Sequence, residues 1–428
     1  MKIPELLAPA GNMDSLRAAL HFGADAVYGG MKHFGLRAFA GNFGPDDLQT
    51  AVRLAHAAGR KFYVTMNIYP FDDELEAFGK AAGEAADCGV DAAIVADPGA
   101  IRFLRKKVPE LPIHVSTQAN TLNAPAAELY SDLGCERVIL AREMSLDRIR
   151  MLHEKIGNRI QLETFVHGAS CMAYSGRCML SAYLTGRSGN RGECAQPCRW
   201  QYTVMENKRP GEYLPVTEDE RGTYLFSARD LCLMPLLPEL CDSGVSSLKI
   251  EGRMKTEYYV AVVTGTYRHA LDLLKQDREA FSKTLPKLMA ELQCASHRLS
   301  DTGFLEGPPE IPGEAEGFWQ SREYVAKVIE PEGLDGRARL LMKNRFYAGD
   351  ELELMTPSGI RRIQAGPFLR EKTGEILETF GVAGETIRMA LPGCTAGDML
   401  RGPVRNHRND SDRSRNRQEN DGESGWQN

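Results

Sequence analysis

The chain predicts an α/β fold: a (β/α)8 TIM-like barrel followed by a small antiparallel β-barrel domain. Three observations predict it. Short apolar runs and helix-period segments alternate in eight beats up to residue 277, which suits a closed barrel better than the alternative, an open doubly wound sheet. A loose Pro- and Gly-bearing stretch, 296–317, then breaks the beat. Beyond it, short β-rich runs are punctuated by Gly349-Asp350, Pro357-Ser358-Gly359 and Gly397-Asp398. The expected organisation is a barrel over 1–277 carrying a Cys-rich lid, a helix and linker over 278–318, a β-domain over 319–403, and a disordered tail over 404–428.

Residues 5–9 (ELLAP) read as the first strand and 14–22 as its helix, with Leu16, Ala19 and Leu20 on one face. The run 24–28 follows, then a loop over 33–43. A helix opens at Pro45-Asp46-Asp47, whose acids suit the positive end of the helix dipole. The next pairs are 61–68 with 73–88, 91–96 with 98–107, 112–118 with 124–133, and 137–141 with 145–156. Residues 161–167 give the seventh strand. Residues 247–250 give the eighth, closed by a helix from 256 to 275, and another helix covers 278–293. In the β-domain the strands fall at 323–330, 338–343, 351–355, 362–366 and 386–391.

Barrel enzymes keep their sites at the C-terminal ends of the strands. Here that mouth gathers amides, acids and bases: Asn67, Asp97, Ser116, Gln118, Asn120, Arg142, Glu163, His167, Lys249, Glu251 and Arg253. The loop after the seventh strand lies over it and, extended by 203–229, holds Cys171, Cys178, Cys194 and Cys198 among glycines and arginines. Cys88, Cys135 and Cys241, scattered singly through apolar runs, read instead as core thiols.

Composition narrows the setting. With 43% hydrophobic and 26% charged residues the chain is ordinary globular material, and it has no run of about eighteen apolar residues and no basic-then-apolar leader. A cytoplasmic location without membrane contact is expected. In that reducing compartment a four-cysteine cluster points to a metal or iron–sulfur site rather than to disulfides. The cysteine pairs enclose six and three residues and are fifteen apart, without the CxxC knuckles usual for structural zinc. An iron–sulfur cluster suits the spacing better, and zinc is the alternative. The net charge of −6 supplies no global attraction to a polyanion, so RNA contact must come from local basic patches.

The run ETFVHGASCMAYSGRCMLSAYLTGR resembles the signature of the collagenase-like peptidases, family U32. NRGECAQPCRWQY, RPGEYLPVTEDERGTYLFSARDLC and SLKIEGRMKTEYYVA are similar, more closely, to that family's tRNA hydroxylation branch. The resemblance implies conversion of the wobble uridine of tRNA to 5-hydroxyuridine with prephenate required. It also implies a 4Fe–4S cluster on Cys171, Cys178, Cys194 and Cys198, with Cys232 as the reserve ligand, and leaves room for a protein partner in the same pathway. Within that reading Lys249 and Arg253, flanking Glu251, are expected to hold the dicarboxylate, with Gln118, Asn120 and Asn67 completing the substrate pocket. Arg191 and Arg199 would meet phosphates and Trp200 would stack on a base. Glu163 and His167 would handle protons. The competing functions are a peptidase, for which the sequence offers no GxSxG or HExxH, and a zinc-stabilised RNA-binding module.

Overall fold

The computed structural model of the chain describes residues 3–35, 41–171, 173–174, 176–200, 218–219, 222–223, 229–307 and 318–405. Two compact units divide it, Met1–Trp319 and Gln320–Asn428. Among the described residues no helix is long and apolar enough to cross a membrane. The tail expected over 404–428 falls outside the described residues except for its first two, as does most of 203–229.

In the first unit, strands β1 (Glu5–Pro9), β2 (Ala26–Gly30), β3 (Lys61–Thr65), β4 (Ala92–Val95), β5 (Ile113–Val115), β6 (Arg137–Ile139) and β7 (Gln161–Ala169) pair in parallel, each with the next. Strand β8 (Asp230–Cys232) runs antiparallel to the end of β7, and β9 (Ser247–Ile250) pairs with both β7 and β1, which closes an eight-stranded parallel barrel. These strands are buried on both faces, so they read as apolar runs rather than alternations. Several helices between them start on side-chain caps: Asn12 accepts from Ser15 N at 2.9 Å and Asp97 from Ala100 N at 2.7 Å. The last helix of the barrel, Glu257–Gln276, is capped by Thr256 and buried along most of its length, and the helix expected over 278–293 follows it at Arg278–Leu292. Sequence reading missed β8, a three-residue strand with no periodicity of its own; its neighbour β7 fixes it, pairing Cys232 with His167 and Asp230 with Ala169.

The second unit is an antiparallel sheet of β10 (Arg322–Glu330), β11 (Ala338–Met342), β12 (Glu351–Thr356), β13 (Gly359–Gln364), β14 (Phe368–Arg370), β15 (Ile376–Leu377), β16 (Thr386–Met389) and β17 (Met399–Pro403). Their spatial order is β13-β12-β17-β10-β11-β16-β14-β15. Burial alternates along β11, and Val328, Leu340, Met342, Phe346, Leu354 and Phe368 belong to its core. The strand expected at 362–366 begins earlier, because Pro357 to Gly359 turn the chain into a hairpin that pairs Thr356 with Gly359.

Candidate functional site

The ends of the barrel strands build a hydrogen-bonded mouth. Arg253, just past β9, is buried and donates to Thr65 Oγ1 at 2.7 Å and to Asn42 Oδ1 at 2.6 Å. Gly30 makes room for it, since a Cβ there would stand 2.0 Å from the Arg253 guanidinium. Gly168, with φ +109°, is required in the same way: a side chain on it would meet the Glu251 carbonyl oxygen at 2.4 Å. The Tyr28 hydroxyl donates to the Ile250 carbonyl at 2.9 Å and lies 3.2 Å from Glu251 Oε2. A second group joins Asn67, Gln118 and Asn120, as the sequence expected. Asn67 Nδ2 donates to Gln118 Oε1 at 2.7 Å, and Asn120 Nδ2 donates to the Gln118 carbonyl at 2.9 Å.

Two residues expected at the mouth lie elsewhere. Glu163 is the third residue of the nine-residue β7, so it points into the barrel below the mouth and is fully buried. Its carboxylate is 3.0 Å from Arg137 and 3.1 Å from Lys249. Arg137 continues to Glu5 at 2.7 Å, and Glu5 accepts from the Tyr63 hydroxyl at 2.8 Å. Burial opposes ionisation of Glu163, but Lys249 and Arg137 together outweigh it and hold its pKa below the usual carboxylate value. Glu163 is therefore an ionised structural anion with no proton to give. Lys249, whose ammonium also stands 4.3 Å from the Tyr28 ring centre, is committed to it, so Lys249 does not form a joint clamp with Arg253.

His167 is the other. It is buried beside the last helix, with Nδ1 3.5 Å from the Tyr267 hydroxyl and its ring 6.2 Å from that of Tyr259. Burial drives its pKa down to about 4 against the opposing pull of Asp230, so the ring is neutral at physiological pH. Cys232 lies opposite it in register, buried, its thiol pushed up by desolvation and bonded to Tyr267. This places the reserve ligand in a packed wall. Cys135 and Cys241 are core thiols raised to about 12 by burial.

The four lid cysteines differ. Cys171 is exposed, and Cys178, Cys194 and Cys198 are half-buried. The lid is cross-tied internally, with Ala195 N donating to the buried Ser181 Oγ at 3.0 Å and Arg187 Nε to the Glu193 carbonyl at 3.1 Å. Gln196 N donates to Cys194 Sγ at 3.3 Å. As a donor set, four cysteines on one segment fit a soft-metal or iron–sulfur centre. Their described positions do not assemble one, for among the described residues no three Cys, His, Asp or Glu side chains are grouped to hold a metal.

Arginines fasten the lid to the barrel. Arg191, expected to meet RNA, instead donates to Glu74 Oε1 at 2.5 Å and to the Tyr69 carbonyl at 3.1 Å, with its guanidinium 4.8 Å from the Phe71 ring centre. Arg142 donates to Oγ of Ser170, the first residue past β7, at 3.2 Å and to the Ala169 carbonyl at 2.7 Å, and lies 4.0 Å from the Phe165 ring centre. Trp200 is 40% exposed at the end of the short turn Pro197–Arg199, so it remains open to a stacking partner, as does Tyr183 at 80%. The Arg199 side chain lies outside the described residues. Sequence reasoning missed Tyr28, Asn42 and Thr65 as members of the mouth. Tyr28 ends a strand and was a visible candidate, whereas Asn42 reaches the mouth only through a loop.

The chain matches peptidase family U32 over residues 11–314 and the peptidase family U32 C-terminal domain over residues 320–401. It is 37% identical over 404 residues to "tRNA hydroxylation protein P" of Escherichia coli, covering 83% of this chain and 87% of that one. It is 36% identical over 411 residues to a "Collagenase" of Porphyromonas gingivalis, covering 91% and 94%. Over 274 residues, 64% of this chain and 40% of the other, it is 40% identical to a 23S rRNA 5-hydroxycytidine synthase of Escherichia coli.

Proposed function

This chain belongs to peptidase family U32, and on that premise we propose that it is a cytoplasmic RNA-modifying hydroxylase that converts the wobble uridine of tRNA to 5-hydroxyuridine with prephenate as co-substrate. The observation that supports this most is a four-cysteine lid tied by Arg191 and Arg142 to a mouth of buried amides and one arginine. Cys171, Cys178, Cys194 and Cys198 would hold a 4Fe–4S cluster, which supplies electron transfer when bound. Arg253, held at the mouth by Thr65 and Asn42, would meet a prephenate carboxylate, while Lys249 is paired with Glu163 deeper in the barrel. Trp200, with Arg199 next to it in the sequence, would receive the RNA loop. Since the Glu163 carboxylate is held by Lys249 and Arg137 below the mouth and the His167 ring packs against Tyr267, proton handling is assigned to Glu251, which lies at the mouth beside the Tyr28 hydroxyl.

A peptidase reading draws on the collagenase relative. It needs a base beside a lid cysteine, and the described contacts of His167 are with Tyr267 and Tyr259 rather than with Cys171. Nucleoside analysis of tRNA from a strain lacking the gene, with and without the gene restored, tests the proposal. The expected result is loss of 5-hydroxyuridine derivatives and their recovery on restoration. Unchanged levels in a strain with no second family member, together with gelatin cleavage abolished by Cys171→Ala, would favour the peptidase.

A further inference from the structure

Gln118 carries an amide with one corner satisfied and one not. It is 2% exposed, in the short turn Thr117–Ala119 after β5. Its Oε1 accepts from Asn67 Nδ2 at 2.7 Å and from Ser116 Oγ at 3.1 Å. Ser116 Oγ accepts the Gln118 backbone N–H and donates its own hydrogen to Oε1, so that Ser116 and Asn67 both approach the oxygen side of the amide. Nε2 then occupies the other corner of the planar group, buried with no hydrogen-bond partner. Re-aiming it is obstructed. The Gln118 carbonyl accepts from the Tyr69 hydroxyl and from Asn120 Nδ2, both at 2.9 Å. Gly176 of the lid packs so closely that a Cβ on it would be 3.1 Å from Gln118 Cβ and Cγ.

A buried N–H donor without an acceptor is unfavourable, and buried polar groups left in this state mark places where a ligand completes the bonding. Gln118 is therefore a one-way reader. With its carbonyl oxygen already holding two donors, the side chain offers hydrogens and has no acceptor to spare. Pyrimidines differ at the matching position: uracil presents the O4 acceptor where cytosine presents the N4 amino donor. We propose that Gln118 Nε2 donates to O4 of the target base and selects uracil over cytosine, an inference that rests on the chain being an RNA base hydroxylase. Asn67 and Ser116 are positioning residues that hold the amide in its donating orientation. A cytosine in the same place would set its amino group against the Gln118 amino group, leaving both unpaired.

The test is binding of the full-length chain to two stem-loop RNAs that differ only in carrying uridine or cytidine at one exposed loop position. The wild type is expected to bind the uridine RNA about tenfold more tightly, the effect of one unpaired buried donor. Gln118→Leu should bring the ratio to about one, and Gln118→Glu, nearly isosteric but an acceptor, should move it toward cytidine. Circular dichroism and thermal unfolding verify that each variant folds, and if Gln118→Leu does not, Gln118→Glu decides. A wild-type ratio of one, or a uridine preference preserved in the folded variants, overturns the proposal. Loss of tRNA hydroxylation in the deletion strain alongside a ratio of one would remove only the base-reading role. No loss there and no RNA binding would remove the hydroxylase reading with it.

Discussion

Replacing Glu163 by alanine should destabilise the protein by about 3–5 kcal/mol, because it strands the buried Lys249 ammonium without its counter-ion. Arg137 would be less affected, since Glu5 still holds it at 2.7 Å. The pair sits where the barrel closes: Glu163 and Lys249 lie on β7 and β9, the neighbours that join the last strand to the ring. The double variant Glu163→Leu with Lys249→Met should recover much of the loss, because an apolar pair of similar volume leaves no buried charge. Urea unfolding of the wild type and the two variants measures this. A single variant within about 0.5 kcal/mol of wild type would mean that the ion pair does not hold the seam. The pH dependence has a definite sign. Glu163 has a folded pKa below its unfolded value, so its contribution is present above the usual carboxylate pKa of 4.5 and is lost as pH falls below it.

His167 gives the second large effect, in a different pH window. Burial lowers its pKa from 6.5 to about 4, which corresponds to about 3 kcal/mol. Above pH 6.5 the ring is neutral in both states and takes nothing from stability. As pH falls from there toward 4 the unfolded chain gains a proton that the folded chain refuses, so stability drops across that interval. His167→Phe, which leaves the Tyr267 hydroxyl its bond to the Val166 carbonyl at 2.8 Å, should flatten the curve between pH 6.5 and 4.5. Denaturant titrations of both proteins from pH 7.5 to 4.5 test this. Parallel curves would show that His167 is not the titrating group.

These two residues also show where sequence reading stops. Barrel strands, their helices and the β-domain were legible because apolar periodicity and capping residues act locally. Gln118, Asn67 and Asn120 were legible as a group because each follows a strand end, and strand ends converge in a barrel. Glu163 and Lys249 looked like mouth residues for the same reason, yet β7 runs on to Ala169, and the extra length carries Glu163 down into the interior. No pattern in the chain announces an ion pair inside a barrel, since its partners come from β1, β6 and β9. His167 was misplaced by one alternation: a bulge between Lys249 and Ile250 shifts the register of β9 against β7, and the ring ends against the last helix. Arg191 reads as a free basic residue until Glu74, 117 positions away, is seen to hold it.

Metal and sulfide analysis of anaerobically purified protein tests most directly the central claim that the lid is a redox centre. The account predicts a brown protein with iron and sulfide in equal amounts, about four of each per chain. Serine at Cys171, Cys178, Cys194 or Cys198 should remove them, whereas Cys232→Ala should leave them in place. A colourless protein carrying a single zinc, or iron content indifferent to the lid cysteines, would contradict it.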